Sequence, residues 1–286
     1  MGHKSTSISA QAWRAALLLA QVIWIRVSTA WLLPRRDRTR RWQHAQRWAV
    51  RMLDALNVRV IVSGYPPQKD AAILLVANHI SWLDIQALST VSAARFVAKS
   101  EVRHWFLVGR TAQYLETFFI KRGSCRDAWR TKNDLAVALK AGDLVAVFPE
   151  GTTTDGQRVQ PFHPALFQAA IDTRVAVCPV TIRYETLAGA GNAAAVFLDG
   201  ENFVKSLLRI LREPLMAVEL SFGKPISSRN RTRRELAALA QLMISETLSH
   251  APRHHLLEAL RATWGARQRP KLGSGGLPEA RAPAVA

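Results

Sequence analysis

The sequence predicts an α/β fold: a single mixed, largely buried β-sheet flanked by helices and preceded by an N-terminal pair of membrane-interface helices. Two observations predict the sheet. Short apolar stretches rich in β-branched and aromatic residues recur from residue 58 onward, and helix-like stretches such as 125–141 and 161–172 separate many of them. The helix pair is predicted by a long apolar run near the N-terminus that is followed by clustered arginines.

The predicted strands are short and mostly apolar, as expected for strands that are covered on both faces. They are VRVIVS (58–63), AILLVA (72–77), RFVAK (95–99), TFFIK (117–121), LVAVF (144–148), AVCPVTI (176–182) and AVELSF (217–222). We therefore place one α/β domain at 58–263, after N-terminal helices at 1–57. The remaining residues, 264–286, contain too few large apolar side chains to form a core and are predicted to be a disordered tail.

The N-terminal segment is apolar from Ala15 to Leu33 but is interrupted by Gln21 and Arg26. An arginine in the middle of a membrane span costs about 3 kcal/mol on insertion scales, which disfavours a simple spanning helix. Five arginines follow between residues 35 and 41, and five of the nine tryptophans lie within the first 48 residues. Because Trp and Arg are typical of the lipid headgroup region, we predict helices that lie in, or dip into, one leaflet. The alternative is an amphipathic helix pair that covers the core of the domain.

The net charge of +18 is concentrated at the two ends of the chain. Residues 1–60 contain 11 basic and 2 acidic side chains, and residues 224–286 contain 11 and 4, whereas residues 61–223 contain 17 and 15. A nearly neutral middle favours an anionic membrane surface as the partner over nucleic acid. The two cysteines are too few for a disulfide framework or a cysteine metal site, which fits a reducing compartment.

A histidine and an aspartate follow the second predicted strand. AILLVA leads directly into NHISWLD, which places His79 at the carboxyl end of a buried strand and Asp84 five residues later. Such a pair can act as a general base and the carboxylate that orients it. Five residues is not a same-face spacing in a helix, so the pair requires a turn between strand and helix. A hydrogen-bonded structural histidine is the alternative.

Polar or basic residues also follow three other predicted strands. LVAVF leads into Pro149–Thr154, where Gly151 allows close backbone approach and the threonine hydroxyls can hold an anion or a hydroxyl. TFFIK ends at Lys121 and Arg122, and RFVAK ends at Lys99. Because ligands of α/β sheets bind outside the carboxyl ends of strands, we expect these ends to form one site.

Together these blocks resemble the PlsC-like glycerolipid acyltransferases. NHISWLD (78–84), FFIKR (118–122), FPEGTTT (148–154) and VCPVTI (177–182) match the four motifs of that family in order, and AKSEV (98–102) resembles a further block. The resemblance covers roughly residues 45–225. It implies that His79 and Asp84 are catalytic, and that acceptor-binding residues lie at five positions: Lys99, Arg122, Glu150, Gly151 and Thr152.

The resemblance further implies a mechanism. His79, oriented by Asp84, would remove a proton from the acceptor hydroxyl as that oxygen attacks a thioester carbonyl, without an acyl-enzyme. The donor would be acyl-CoA or acyl carrier protein, and neither a cofactor nor a metal is expected. The expected partners are a lysolipid acceptor and an anionic membrane surface, and no nucleic acid. The expected location is the cytoplasmic face of a membrane, the inner membrane if the source is bacterial.

The acceptor is predicted to be 1-acyl-sn-glycerol-3-phosphate, with phosphatidic acid as the product. Two positions depart from the common family pattern. Thr153 stands where many members carry Arg, and Ala165 stands where many carry Gly. A third motif of the PEGTT type that is followed by Asp-Gly (155–156) and Pro-Phe (161–162) is similar to that of lyso-ornithine-lipid acyltransferases and some lysophospholipid acyltransferases. Lyso-ornithine lipid or another lysophospholipid is therefore the alternative acceptor. A basic membrane- or nucleic-acid-binding protein without chemistry is the non-enzymatic alternative.

Overall fold

The fold is taken from a computed structural model. It describes residues 6–29, 38–67, 71–104, 109–121, 125–189, 191–250, 256–258 and 260–262. Four features predicted above lie wholly or partly outside these ranges: the tail at 264–286, the end of the apolar run at 30–33, the first two members of the arginine cluster, Arg35 and Arg36, and Arg122.

A seven-stranded mixed sheet forms the centre of the molecule and confirms the predicted fold class. Its strands are β1 (Val58–Gly64), β2 (Ile73–Ala77), β3 (Arg95–Lys99), β4 (Phe118–Ile120), β5 (Leu144–Val147), β6 (Ala176–Thr186) and β7 (Met216–Phe222). They lie in the order β1-β7-β6-β2-β5-β3-β4, and every neighbouring pair is parallel except β6 and β7. All seven predicted strands are present, and β6 continues four residues beyond its predicted end at Ile182.

Helices cover both faces of the sheet. They are α1 (Ile8–Val27), α2 (Arg38–Ala55), α3 (Leu83–Val91), α4 (Gly109–Tyr114), α5 (Cys125–Lys140), α6 (Phe167–Thr173), α7 (Phe203–Arg212) and α8 (Arg233–His250). Side chains of α2, α3 and α7 pack on one face, and those of α5, α6 and α8 on the other. Strand β2 shows why its sequence is continuously apolar, since Leu75 and Ala77 join the first core and Leu74 and Val76 the second.

The strand order determines where a site can form. β2, β5, β3 and β4 are consecutive neighbours and run parallel, so their carboxyl ends lie along one edge of the sheet. The segments that follow these four strands are those in which the sequence predicted functional residues. The topology therefore brings these segments to a common edge.

Arg14 fastens α1 to the rest of the fold. Its guanidinium is buried and donates to the carbonyl oxygens of Leu211 (2.8 Å) and Glu213 (2.9 Å) at the end of α7, and to that of Ala55 (3.2 Å) at the end of α2. A cation is favourable at these positions because helix C-termini carry unpaired carbonyls and partial negative charge. Leu18 of α1 is also buried against the first core.

The outward side of α1 is apolar as well. Trp13, Leu19, Ile23, Trp24 and Val27 are all exposed large apolar side chains, and Trp13 is 66% exposed. By length and composition alone, α1 could cross a membrane. It begins at Ile8, before the predicted apolar run, because the Ser7 hydroxyl accepts a hydrogen bond from the amide of Ala10 and caps the helix. One helix thus covers the core with one side and presents a lipid-like surface on the other.

Candidate active site

The site begins where the chain leaves β2. The side chain of Asn78 accepts a hydrogen bond from the amide of Ile182 (2.8 Å) and donates to its carbonyl oxygen (3.0 Å). The last backbone pair of the two strands is Ala77 with Val180, so the Asn78 amide group takes the place of the next pair along β6. This contact fixes the position of the following residue, His79.

His79 and Asp84 are brought together by a turn. The Nδ1 atom of His79 lies 2.8 Å from Oδ2 of Asp84, and the same carboxylate oxygen accepts the amides of Ile80 (2.7 Å) and Ser81 (2.9 Å). Asp84 lies in the first turn of α3 and is fully buried. The carboxylate therefore both closes the turn that the five-residue spacing requires and binds the imidazole.

This geometry defines the chemistry available to the imidazole. A carboxylate at Nδ1 favours the tautomer in which that nitrogen carries the proton and Nε2 has a lone pair. Among the residues that the structure describes, none hydrogen-bonds to Nε2 of His79. The ring stacks on Phe148, with centroids 4.0 Å apart and planes inclined by 16°, and the side chain is 18% exposed. His79 is thus held in place with one nitrogen able to accept a proton.

Tyr184, which was not predicted as a site residue, also binds the carboxylate of Asp84. Its hydroxyl donates to Oδ1 of Asp84 at 2.6 Å. Burial, together with the charge of Asp84, raises the pKa of Tyr184 well above its usual value, so the hydroxyl remains a donor. Strand periodicity could have predicted this residue, because Val180, Ile182 and Tyr184 share a buried face of β6. A buried tyrosine hydroxyl needs a hydrogen-bond partner.

The loop after β5 holds the backbone of His79 from both sides. Oε1 of Glu150 accepts the amide of His79 at 2.7 Å, and the amide of Thr154 donates to the carbonyl oxygen of His79 at 2.8 Å. Oε2 of Glu150 accepts the amide of Gln160 at 2.9 Å. Burial raises the pKa of Glu150, although the two amide bonds act in the opposite direction. In the structure Glu150 therefore joins the two loops, and its predicted contact with an acceptor stays a prediction.

Gly151 and Thr152 occupy the next two positions of that loop. Gly151 has a φ of +70°, and a Cβ atom there would lie 3.2 Å from Cδ2 of His163, so both the backbone and the space favour glycine. The hydroxyl of Thr152 donates to Oδ2 of Asp199 at 3.0 Å. Lys99, at the end of β3, contacts the other oxygen of the same carboxylate, with Nζ 2.6 Å from Oδ1.

The predicted site residues thus form two adjoining groups. One contains His79, Asp84 and Glu150, and the other contains Lys99 and Thr152, which are joined by Asp199. Asp199 was not predicted as a site residue, and it lies 100 residues from Lys99 along the chain. The predicted acceptor-binding roles of these residues stay predictions.

Cys178 is a buried cysteine of β6. Burial raises its pKa to about 12, so the thiolate that would attack a thioester is scarce near neutral pH. Within the described ranges there is no group of three or more His, Cys, Asp or Glu side chains placed to hold a metal ion.

An α/β sheet with a histidine–carboxylate pair at its carboxyl edge is an arrangement suited to general-base chemistry. Residues 57–183 match the model of the family described as Acyltransferase. The chain is 38% identical over 230 residues to a lyso-ornithine lipid O-acyltransferase from Pseudomonas aeruginosa, covering 79% of this chain and 86% of the relative. The chain therefore belongs to the PlsC-like acyltransferase family and is an acyltransferase of the lysolipid and glycerolipid type.

Two further comparisons agree with this assignment. The chain is 35% identical over 170 residues to a 1-acyl-sn-glycerol-3-phosphate acyltransferase from Neisseria gonorrhoeae, covering 59% of this chain and 66% of the relative. The fold is similar to the crystal structure of PlsC from Thermotoga maritima, with a TM-score of 0.64, coverage of 85% and 94%, and 21% identity. At 21% identity, the comparison with PlsC supports the fold alone.

Proposed function

We propose that the protein transfers a fatty acyl group from acyl-CoA or acyl carrier protein to the free hydroxyl of a lysolipid, with His79 as the general base. The observation that carries this proposal is the His79–Asp84 pair, in which Nε2 is left to accept a proton. As the hydroxyl oxygen attacks the thioester carbonyl, its proton passes to Nε2. The C–S bond then breaks, and the imidazolium returns the proton to the leaving thiolate. No cofactor beyond the acyl thioester enters this scheme.

The acceptor that we propose first is lyso-ornithine lipid. It is supported by the extent of the match with the Pseudomonas aeruginosa relative, and by a second relative with the same name from Rhizobium meliloti, which is 34% identical and covers 73% of this chain. The second candidate is 1-acyl-sn-glycerol-3-phosphate, which the sequence motifs favoured. The shorter matches to Neisseria acyltransferases support it.

An acceptor panel tests this proposal. The purified chain would be given lyso-ornithine lipid, lysophosphatidic acid and lysophosphatidylethanolamine, each with one acyl-CoA and one acyl carrier protein thioester. We expect acyl transfer with the highest kcat/KM on lyso-ornithine lipid, measured by mass spectrometry of the product lipid. A preference for lysophosphatidic acid would replace the first acceptor with the second. Failure on every lysolipid would refute the proposed function.

We also propose that the protein associates with an anionic membrane surface, on the cytoplasmic face, through the outward side of α1. Six large apolar side chains of α1 are exposed, the five named above and Ile8, and most of the net positive charge lies toward the two ends of the chain. Burying such side chains in the interface is favourable, and basic residues add attraction to anionic lipids. Lysolipid acceptors would be reached from the same surface.

Replacing Leu19, Ile23 and Trp24 with glutamine is expected to lower binding to anionic vesicles by about tenfold or more, because each removes apolar area from the contact. Vesicle sedimentation at fixed salt measures the effect. The matched control replaces Trp129 and Val137 of α5, which are exposed to a similar degree on the other face of the sheet. Equal vesicle binding by the triple variant and the parent would contradict the proposed role of α1.

A further inference from the structure

The side chain of Asp199 contacts two residues that are predicted to bind the acceptor. Its carboxylate contacts Lys99 through Oδ1 (2.6 Å) and Thr152 through Oδ2 (3.0 Å). These three side chains come from separate segments: the end of β3, the loop after β5, and the connection between β6 and α7. The side chain of Asp199 is 54% exposed and that of Lys99 is 36% exposed, so a ligand can reach both charges.

The segment that carries Asp199 is attached to the catalytic turn. The amide of Phe197 donates to the carbonyl oxygen of Ile80 at 3.0 Å, directly beside His79. Arg209 of α7 donates to the carbonyl oxygen of Ala194 (3.1 Å) and pairs with Glu201 (2.6 Å), on either side of Asp199. The segment that carries Asp199 is therefore attached both to the turn that follows His79 and to α7.

The charge of Asp199 determines which head groups fit. Lys99 already faces the carboxylate of Asp199, and Thr152 contributes a hydroxyl without a charge. A lipid head group with only negative charge would have to displace Asp199 from Lys99 or lie beside it. In the second case the two negative charges would repel each other. A head with both an anionic group and an ammonium group would exchange partners, with the anion on Lys99 and the ammonium on Asp199. Lys99 and Asp199 would then each face a group of opposite charge.

We propose that Asp199 is a specificity-determining residue that binds a primary ammonium group on the acceptor head, while Lys99 binds the anionic group beside it. This inference rests on the proposed function, because it concerns the acceptor of the same reaction. Two lysolipids share the required chemistry. An ornithine head attached through one amine retains a carboxylate and an ammonium, and lysophosphatidylethanolamine carries a phosphate and an ammonium.

The test is the selectivity of Asp199→Asn, measured as kcat/KM for lyso-ornithine lipid, lysophosphatidylethanolamine and lysophosphatidic acid with one acyl thioester. For the amine-bearing acceptors that the parent uses, we expect a loss of about 10- to 100-fold, the usual scale for a hydrogen bond between charged groups. The value for lysophosphatidic acid should stay the same or rise. A loss confined to one amine-bearing lipid identifies the head that is recognised. Asp199→Glu, which keeps the charge, should keep the preference.

Asp155→Asn is the matched control, because Asp155 is an exposed aspartate of the loop after β5 whose Oδ1 accepts the amide of Gln157 at 2.9 Å. An asparagine oxygen can keep that bond, so the control should leave the selectivity unchanged. Equal losses on all three acceptors, no loss on any, or a gain on all of them would overturn the role of Asp199. A parent enzyme that acylates none of the three would overturn the proposed function itself, and this inference with it.

Discussion

His79→Ala is expected to lower kcat/KM for acyl transfer by about 10³- to 10⁴-fold, since it removes the group that takes the acceptor proton in the proposed scheme. The fold should survive. The contacts that hold this position use the backbone of residue 79 rather than its side chain, because its amide donates to Glu150 and its carbonyl oxygen accepts the amide of Thr154. Membrane binding should also be retained, because α1 is not changed. The measurement is steady-state acyl transfer, with circular dichroism and vesicle binding recorded on the same preparation.

The control for this variant is His250→Ala. His250 is exposed at the end of α8, and its Nδ1 lies 2.9 Å from the carbonyl oxygen of Glu246. Removing it should leave the transfer rate near that of the parent. If His79→Ala is well folded and still transfers acyl groups at the parent rate, His79 is not the base.

Asp84→Asn is expected to lower kcat by about 10²- to 10⁴-fold with a smaller change in KM. The substitution keeps the size of the side chain and an oxygen that can accept the amides of Ile80 and Ser81, so the turn should form. The negative charge that stabilises the imidazolium is lost, however, and the tautomer of His79 is no longer fixed. Steady-state kinetics that separate kcat from KM measure the effect. A variant with parent kcat would show that Asp84 serves only to close the turn.

Tyr184→Phe is expected to have a smaller effect on activity than Asp84→Asn. It removes one short hydrogen bond to Oδ1 of Asp84 but leaves the carboxylate and its contact with His79. Because Tyr184 acts through Asp84 as a positioning residue, we expect a loss of about tenfold in kcat, together with a shift in the pH dependence of kcat. A loss as large as that of Asp84→Asn would contradict the proposal that Tyr184 acts only by positioning Asp84.

Much of the fold follows from local patterns. β3 matches its predicted bounds, and β2 differs by one residue, because these strands are apolar runs that end at charged or turn-forming residues. The convergence of His79, Lys99 and Glu150 at one sheet edge also follows from the rule for parallel strands. The position of Tyr184 does not, since it depends on β6 continuing past the end of β2 and lies 100 residues from Asp84 along the chain.

Asp199 could not be predicted from the sequence either, because its contacts also join residues that are far apart along the chain. It lies in a connection between strand and helix with no periodic pattern, and it contacts Lys99 at the end of β3 and Thr152 in the loop after β5. Such a contact depends on tertiary packing rather than on local sequence. The N-terminal helix shows a different limit. The two alternatives for it, covering the core and facing a membrane, are compatible, because α1 has a packed side and an exposed apolar side.

The most direct test of the central proposal is acyl transfer by the purified chain in anionic vesicles, with an acyl thioester labelled in its acyl group. We expect label in the acylated lysolipid, no labelled protein before the acceptor is added, and loss of product in His79→Ala. Labelled protein that passes its label to the lysolipid would contradict direct transfer. The absence of labelled lipid from the parent chain, with every lysolipid and both donors, would contradict the proposed reaction.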